Sequence, residues 1–172
     1  MIRSLAAALL ALPATPALAQ EPGATPVPAQ VTALNGCWSG SGDVMGKPVV
    51  LTLTATPVAH GALFVVESDS HATADPADRY AAHLVFGGRA PGETGETLTG
   101  FWGDSFGGDY TATGTGTVRA DGFDITYPYP DARFVNRWTR DGDRLSWTIV
   151  AVSASGTENS FANYALTRTT CG

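Results

Sequence analysis

From residue 34 onward, apolar and polar positions alternate in short runs, each closed by a turn signal. In residues 48–58, Val49, Leu51, Leu53 and Ala55 alternate with Val50, Thr52, Thr54 and Thr56. Phe123, Ile125, Tyr127 and Tyr129 share one face of the next clear run, and Leu145, Trp147, Ile149 and Ala151 share one face of another. Successive side chains of a strand point to opposite faces, so this period of two predicts half-buried strands. Ten are predicted, over residues 36–44, 48–58, 62–69, 80–86, 97–102, 110–119, 123–129, 133–139, 145–152 and 160–169. Gly87-Gly88, Asp121-Gly122 and Asp141-Gly142 are among the turns between them. Helical periodicity is nowhere sustained, so little helix is expected.

Regular strands separated by tight turns predict an all-β protein, and sequential hairpins predict an antiparallel up-and-down meander. A meander exposes two edges unless it closes on itself. Closure into a ten-stranded β-barrel is favoured by the two cysteines, Cys37 on the first strand and Cys171 just beyond the last. If Trp38 faces inward, Cys37 faces outward. On the tenth strand Cys171 then shares the outer face with Thr169 and Thr167, leaving Arg168, Leu166, Tyr164 and Ala162 inside.

The residues before 34 carry a different pattern. Arg3, an apolar run over residues 5–12 and Ala17-Leu18-Ala19 read as a secretory signal peptide spanning residues 1–19. The apolar run is too short to span a bilayer, so no membrane span is expected in the mature protein. Residues 20–33, rich in Pro, Ala and Thr, predict a disordered linker, and residues 34–172 the barrel domain. Export to the periplasm or beyond places the cysteines in an oxidising compartment, where a Cys37–Cys171 disulfide is expected. In the chain-entropy model such a bond stabilises by about 4–5 kcal/mol.

Charge narrows the partners. The chain carries a formal net charge of −6 and a single lysine, Lys47. It has no basic footprint for nucleic acid or anionic lipid.

The segment Gly36-Cys37-Trp38-Ser39-Gly40-Ser41-Gly42 places Trp38 and three glycines on one face. A Gly-x-Trp on the first strand with an inward Arg on the last resembles the calycin superfamily of lipocalins and fatty-acid-binding proteins. The spacing also resembles the nitrobindin-type Gly-x-Trp-x-Gly-x-Gly. The wider order is similar to a family of bacterial lipocalin-like domains of unknown function. It runs through His60-Gly61-Ala62-Leu63, Phe101-Trp102-Gly103-Asp104-Ser105, Gly156-Thr157-Glu158 and Tyr164-Ala165-Leu166-Thr167-Arg168. The calycin resemblance implies that Arg168 packs against Trp38 and closes one end of the barrel. The nitrobindin resemblance would imply haem held by a His near the C-terminal end. Residues 160–170 contain no His, so no haem or other cofactor is expected.

Catalytic and metal chemistry find little support. His60 falls in a turn and His71 in the long link after the third strand. His83 faces outward if Tyr80, Ala82, Leu84 and Phe86 face in. Asp69-x-His71 with His60 matches no zinc spacing, so no metal site is expected. Gly40-Ser41-Gly42 lies within a strand, and no nucleophile elbow or catalytic residue is assigned. Asp104 and Asp109 read as turn and solvating residues. The remaining candidates are the inward aromatics Trp102, Tyr127, Trp138, Trp147 and Tyr164, expected to line a ligand cavity with apolar walls and polar tips. The predicted function is an exported barrel that binds a small, largely apolar ligand without catalysis. The alternatives are an interaction or inhibitor module acting through its loops, and a barrel enzyme.

Overall fold

A computed structural model describes residues 23–91 and 95–172. Ten strands follow in chain order: β1 (Gly36–Val44), β2 (Lys47–Val58), β3 (Leu63–Ala72), β4 (Arg79–Gly88), β5 (Leu98–Asp104), β6 (Ala112–Arg119), β7 (Gly122–Pro128), β8 (Arg133–Asp141), β9 (Arg144–Val152) and β10 (Glu158–Thr169). Each pairs antiparallel with the next, and β10 pairs back onto β1. The sheet is therefore a closed up-and-down barrel with no free edge, as the alternation of the sequence predicts. Closure fixes the faces: the inward positions are mostly apolar, from Leu51 and Leu53 on β2 to Leu145 and Trp147 on β9, with Ser68, Ser70 and Asn136 as buried polar exceptions.

The two ends differ. At one end Trp38 and Arg168 are direct cross-strand partners. Arg168 donates to the carbonyls of Asn35 at 2.6 Å and Ala33 at 3.4 Å, and to Asp143 Oδ1 at 3.1 Å. Trp38 Nε1 donates to the Leu34 carbonyl at 2.7 Å. Cys37 and Cys171 are joined by a disulfide on the outer face beside them, with Cα atoms 5.3 Å apart.

This end is stoppered by a segment the sequence reading assigns to the linker. A short helix, α1 (Ala29–Thr32), lies across it, with Val27, Val31 and Leu34 buried in the core. The barrel mouth here has an apolar interior that needs a cover, and these three side chains supply it. The linker expectation is corrected from Val27 onward. The predicted signal peptide falls outside the described residues. Among those residues, no helix is long and apolar enough to cross a membrane.

Candidate functional site

The opposite end is formed by the turns after β1, β3, β5, β7 and β9, and among the described residues it carries no stopper like α1. What lies beneath it is an aromatic column. Trp138 and Trp147 are cross-strand partners on β8 and β9, and Trp147 and Tyr164 are partners on β9 and β10. Direct opposition brings side chains on one face to within packing distance. The Trp138 and Trp147 rings stack at 4.3 Å, and Phe123 stacks on the far side of Trp138 at 5.8 Å. Tyr164 lies 5.0 Å from Trp147, and Trp102 lies 6.1 Å from it. Trp102 in turn meets Tyr127 edge-on at 5.6 Å.

Interior glycines make room for these rings. A β-carbon at Gly42 would sit 2.6 Å from Tyr164 Cδ1, and one at Gly100 would sit 2.7 Å from Tyr127 Oη. Both distances are too short for carbon, so the rings lie over the wall only because the wall has no side chain there.

The five predicted cavity residues are thus in one contact chain, but at two depths. Trp138, Trp147 and Tyr127 are fully buried and pack with Phe86, Phe123 and Ile125 as solid core. Trp102 and Tyr164 retain 8% and 7% of their surface and form the floor of the open end. The barrel interior is filled by rings in its lower half, and toward the mouth Tyr129, Phe134 and Phe161 pack on it in turn, Phe134 lying 5.4 Å from Tyr129 and 5.0 Å from Phe161. Two surface depressions, of about 250 and 420 Å³, both lie on the outside of the wall, beside Val85 and Phe101 and beside Ser146 and Ala165 respectively.

Polar groups inside the column are unevenly satisfied. Trp147 Nε1 donates to Asn136 Oδ1 at 2.9 Å. Tyr127 Oη and Trp138 Nε1 are buried without a hydrogen-bond partner among the described residues. Burial pushes the Tyr127 hydroxyl well above its ordinary range.

The mouth is organised around Asp104, the last residue of β5. Its Oδ2 accepts from Tyr80 Oη and from Trp102 Nε1, both at 2.9 Å, and its Oδ1 accepts from the Phe106 backbone N–H at 2.9 Å. Burial and the adjacent Asp104 charge raise the Tyr80 hydroxyl well above the phenolic range, and the same two causes raise Tyr129. Tyr164 is pushed up to about 12 by burial and then by Asp43. Aromatic rings continue around the rim. Phe106 lies 5.5 Å from Tyr80 and 5.9 Å from Tyr110, and Tyr129 Oη donates to the Tyr110 carbonyl at 2.8 Å. Phe106 and Tyr110 are 70% and 54% exposed, a large apolar area to leave in water.

Sequence reasoning treats Asp104 as a solvating turn residue. The structure shows that its Oδ1 does hold the turn, while its Oδ2 faces the mouth. The signal was the Trp102-Gly103-Asp104 alternation, which places indole and carboxylate on one face. Its partner Tyr80 is legible as inward but not as adjacent, because adjacency depends on the β4–β5 register.

The histidines stand elsewhere. His83 faces outward and contacts Glu67 at 2.6 Å, and His60 lies in an exposed turn. His71 lies on the outer face of β3, which runs longer than expected. The inward hydroxyls of Ser68 and Ser70 donate to the Ala82 and Tyr80 carbonyls.

No protein-family profile matches the chain, and no curated protein matches it. Solved structures do. Rv2717c from M. tuberculosis aligns with a TM-score of 0.59 at 15% identity, over 83% of this chain and 99% of its own. The S-type phycobiliprotein lyase CPES from Guillardia theta aligns with a TM-score of 0.56 at 14% identity, over 83% of this chain and 92% of its own. Identities this low speak to the fold alone, and both likenesses are consistent with a calycin-like barrel.

Proposed function

We propose that this protein is an exported barrel that holds a small, largely apolar molecule at its open mouth and releases it unchanged. The observation that carries this reading is the floor made by Trp102 and Tyr164, which caps a solid aromatic column and is framed by exposed rings. Binding sites for small molecules combine apolar walls with a few oriented polar groups, and Asp104 with Tyr80 supplies those. That a phycobiliprotein lyase is built on a barrel of similar shape supports a site on this scaffold. Of the histidines, the side chains best suited to move protons near neutral pH, His60 and His83 stand away from the mouth and His71, near the end of β3, lies on the outer face. The Cys37–Cys171 disulfide supports an oxidising compartment.

The test is a titration with Nile red, a neutral planar probe, followed by its own emission and by quenching of tryptophan. Saturable binding is expected. Trp102→Ala and Tyr164→Ala should each weaken it by at least about tenfold, as truncating an aromatic anchor does. Phe101→Ala, on the outer wall, should leave it unchanged. Binding that survives both mouth substitutions would overturn the assignment.

A further inference from the structure

We infer that the aromatic rim around Asp104 selects organic cations, so that the molecule held at the mouth carries an ammonium group or protonated amine beside its apolar body. This rests on the mouth being the binding site. It adds the charge of the ligand, which an apolar floor does not specify.

Three observations converge. First, the carboxylate of Asp104 is half-buried, fixed by three donors, and has no cationic partner among the described residues. Secondly, the cations of this end are engaged elsewhere. Lys47 pairs with Asp78, Arg79 with Asp69 and Arg137 with Glu158, while Arg133 belongs to the outward alternation of β8. Thirdly, the surroundings are aromatic rings, two of them exposed. Tyr80, Phe106 and Tyr110 follow one another at 5.5 and 5.9 Å, with Trp102 below.

Each ring presents a negative face, which attracts a cation most strongly where water is partly excluded. The donors that an anionic ligand would require are already committed. Trp102 Nε1 and Tyr80 Oη point at Asp104, and Tyr129 Oη points at the Tyr110 carbonyl. An anion would therefore meet a carboxylate with no free side-chain donor beside it, whereas a cation would meet a carboxylate without a charged partner, flanked by the exposed rings of Phe106 and Tyr110. The exposure of Phe106 and Tyr110 is explained in the same way: a cation-binding cage must keep one side open to its ligand.

The experiment compares phenyltrimethylammonium with its neutral isostere tert-butylbenzene and with benzenesulfonate. The readouts are tryptophan fluorescence and the Trp102 indole N–H resonance. The cation is expected to bind about tenfold more tightly than the isostere, with benzenesulfonate weakest. The preference should shrink as salt is added. Asp104→Asn keeps an acceptor for Tyr80 and Trp102 and should abolish the preference. Phe106→Ala, at an exposed site that does not threaten folding, should reduce it independently. Equal affinity for cation and isostere would overturn the inference and leave the apolar-ligand reading standing, as would Nile red binding without cation binding. Failure of Nile red and all three probes to bind would remove both.

Discussion

The guanidinium carbon of Arg168 lies 4.2 Å from the centroid of the Trp38 ring. One side chain thereby stacks on an indole, satisfies the carbonyls of Ala33 and Asn35 and reaches Asp143 in the β8–β9 turn. A planar cation performs these tasks together because its donors lie at the edge of the plane that stacks. Arg168→Ala should lose about 2–4 kcal/mol of stability in urea unfolding, summing the ring contact and the charged hydrogen bonds. Arg168→Lys should recover less than half. A loss below about 0.5 kcal/mol would reduce Arg168 to a surface residue.

The disulfide spans 134 positions of sequence. Removing it by Cys37→Ser with Cys171→Ser should lower unfolding free energy by about 4–5 kcal/mol, chiefly through the freed unfolded chain. Folded protein should keep its ring stacking, so near-ultraviolet circular dichroism of the variant should match the parent while its urea midpoint falls.

Tyr127 and Tyr80 should respond in opposite directions to loss of their hydroxyls. Tyr127 Oη is buried with no partner among the described residues, so Tyr127→Phe removes a desolvation cost and should stabilise by about 1 kcal/mol. Tyr80 Oη donates to Asp104, so Tyr80→Phe should destabilise by about the same amount. Thermal unfolding of both variants distinguishes them.

Gly100→Ala would place a methyl 2.2 Å from Ile125 Cδ1 and 2.7 Å from Tyr127 Oη, and should destabilise by about 1–3 kcal/mol. Gly108→Ala meets nothing within 4 Å and should be near neutral.

Four tyrosines, Tyr80, Tyr127, Tyr129 and Tyr164, hold their protons more tightly in the fold than in the unfolded chain, Tyr164 up to about 12. A raised folded value gives stability that is complete below the unfolded value of about 10 and is lost as pH climbs past it. Stability should therefore fall from about pH 10 toward 12 and beyond. Phenolate absorbance should lag in native protein and rise steeply at alkaline unfolding, whereas in guanidinium the five tyrosines titrate together.

The barrel was legible because period-two alternation is a local signal with a global meaning. Trp38, Leu53, Trp147 and Leu166 announce their inward faces one strand at a time. The stopper was not legible. Val27, Val31 and Leu34 are spaced as one face of a helix, but a four-residue helix carries too few turns for periodicity to outweigh a Pro-rich background. The depth of the aromatic set was also hidden. Alternation says that Trp138 and Trp102 both face in, and only the register shows that one is core and the other floor.

The bond between Cys37 and Cys171 also decides how the molecule bears load. Tension applied between residue 23 and Gly172 enters through the stopper and leaves through the last residue, passing from one terminus to the other across that single covalent link. The strands between the two cysteines lie outside the line of force. A pull can draw out the segment before Cys37, taking Val31 and Leu34 from their places, but it cannot peel β1 from β10. Reduction changes the molecule from a tethered ring to a zipper: the same pull then loads the β1–β10 seam at Trp38 and Arg168, and the barrel opens from its stoppered end.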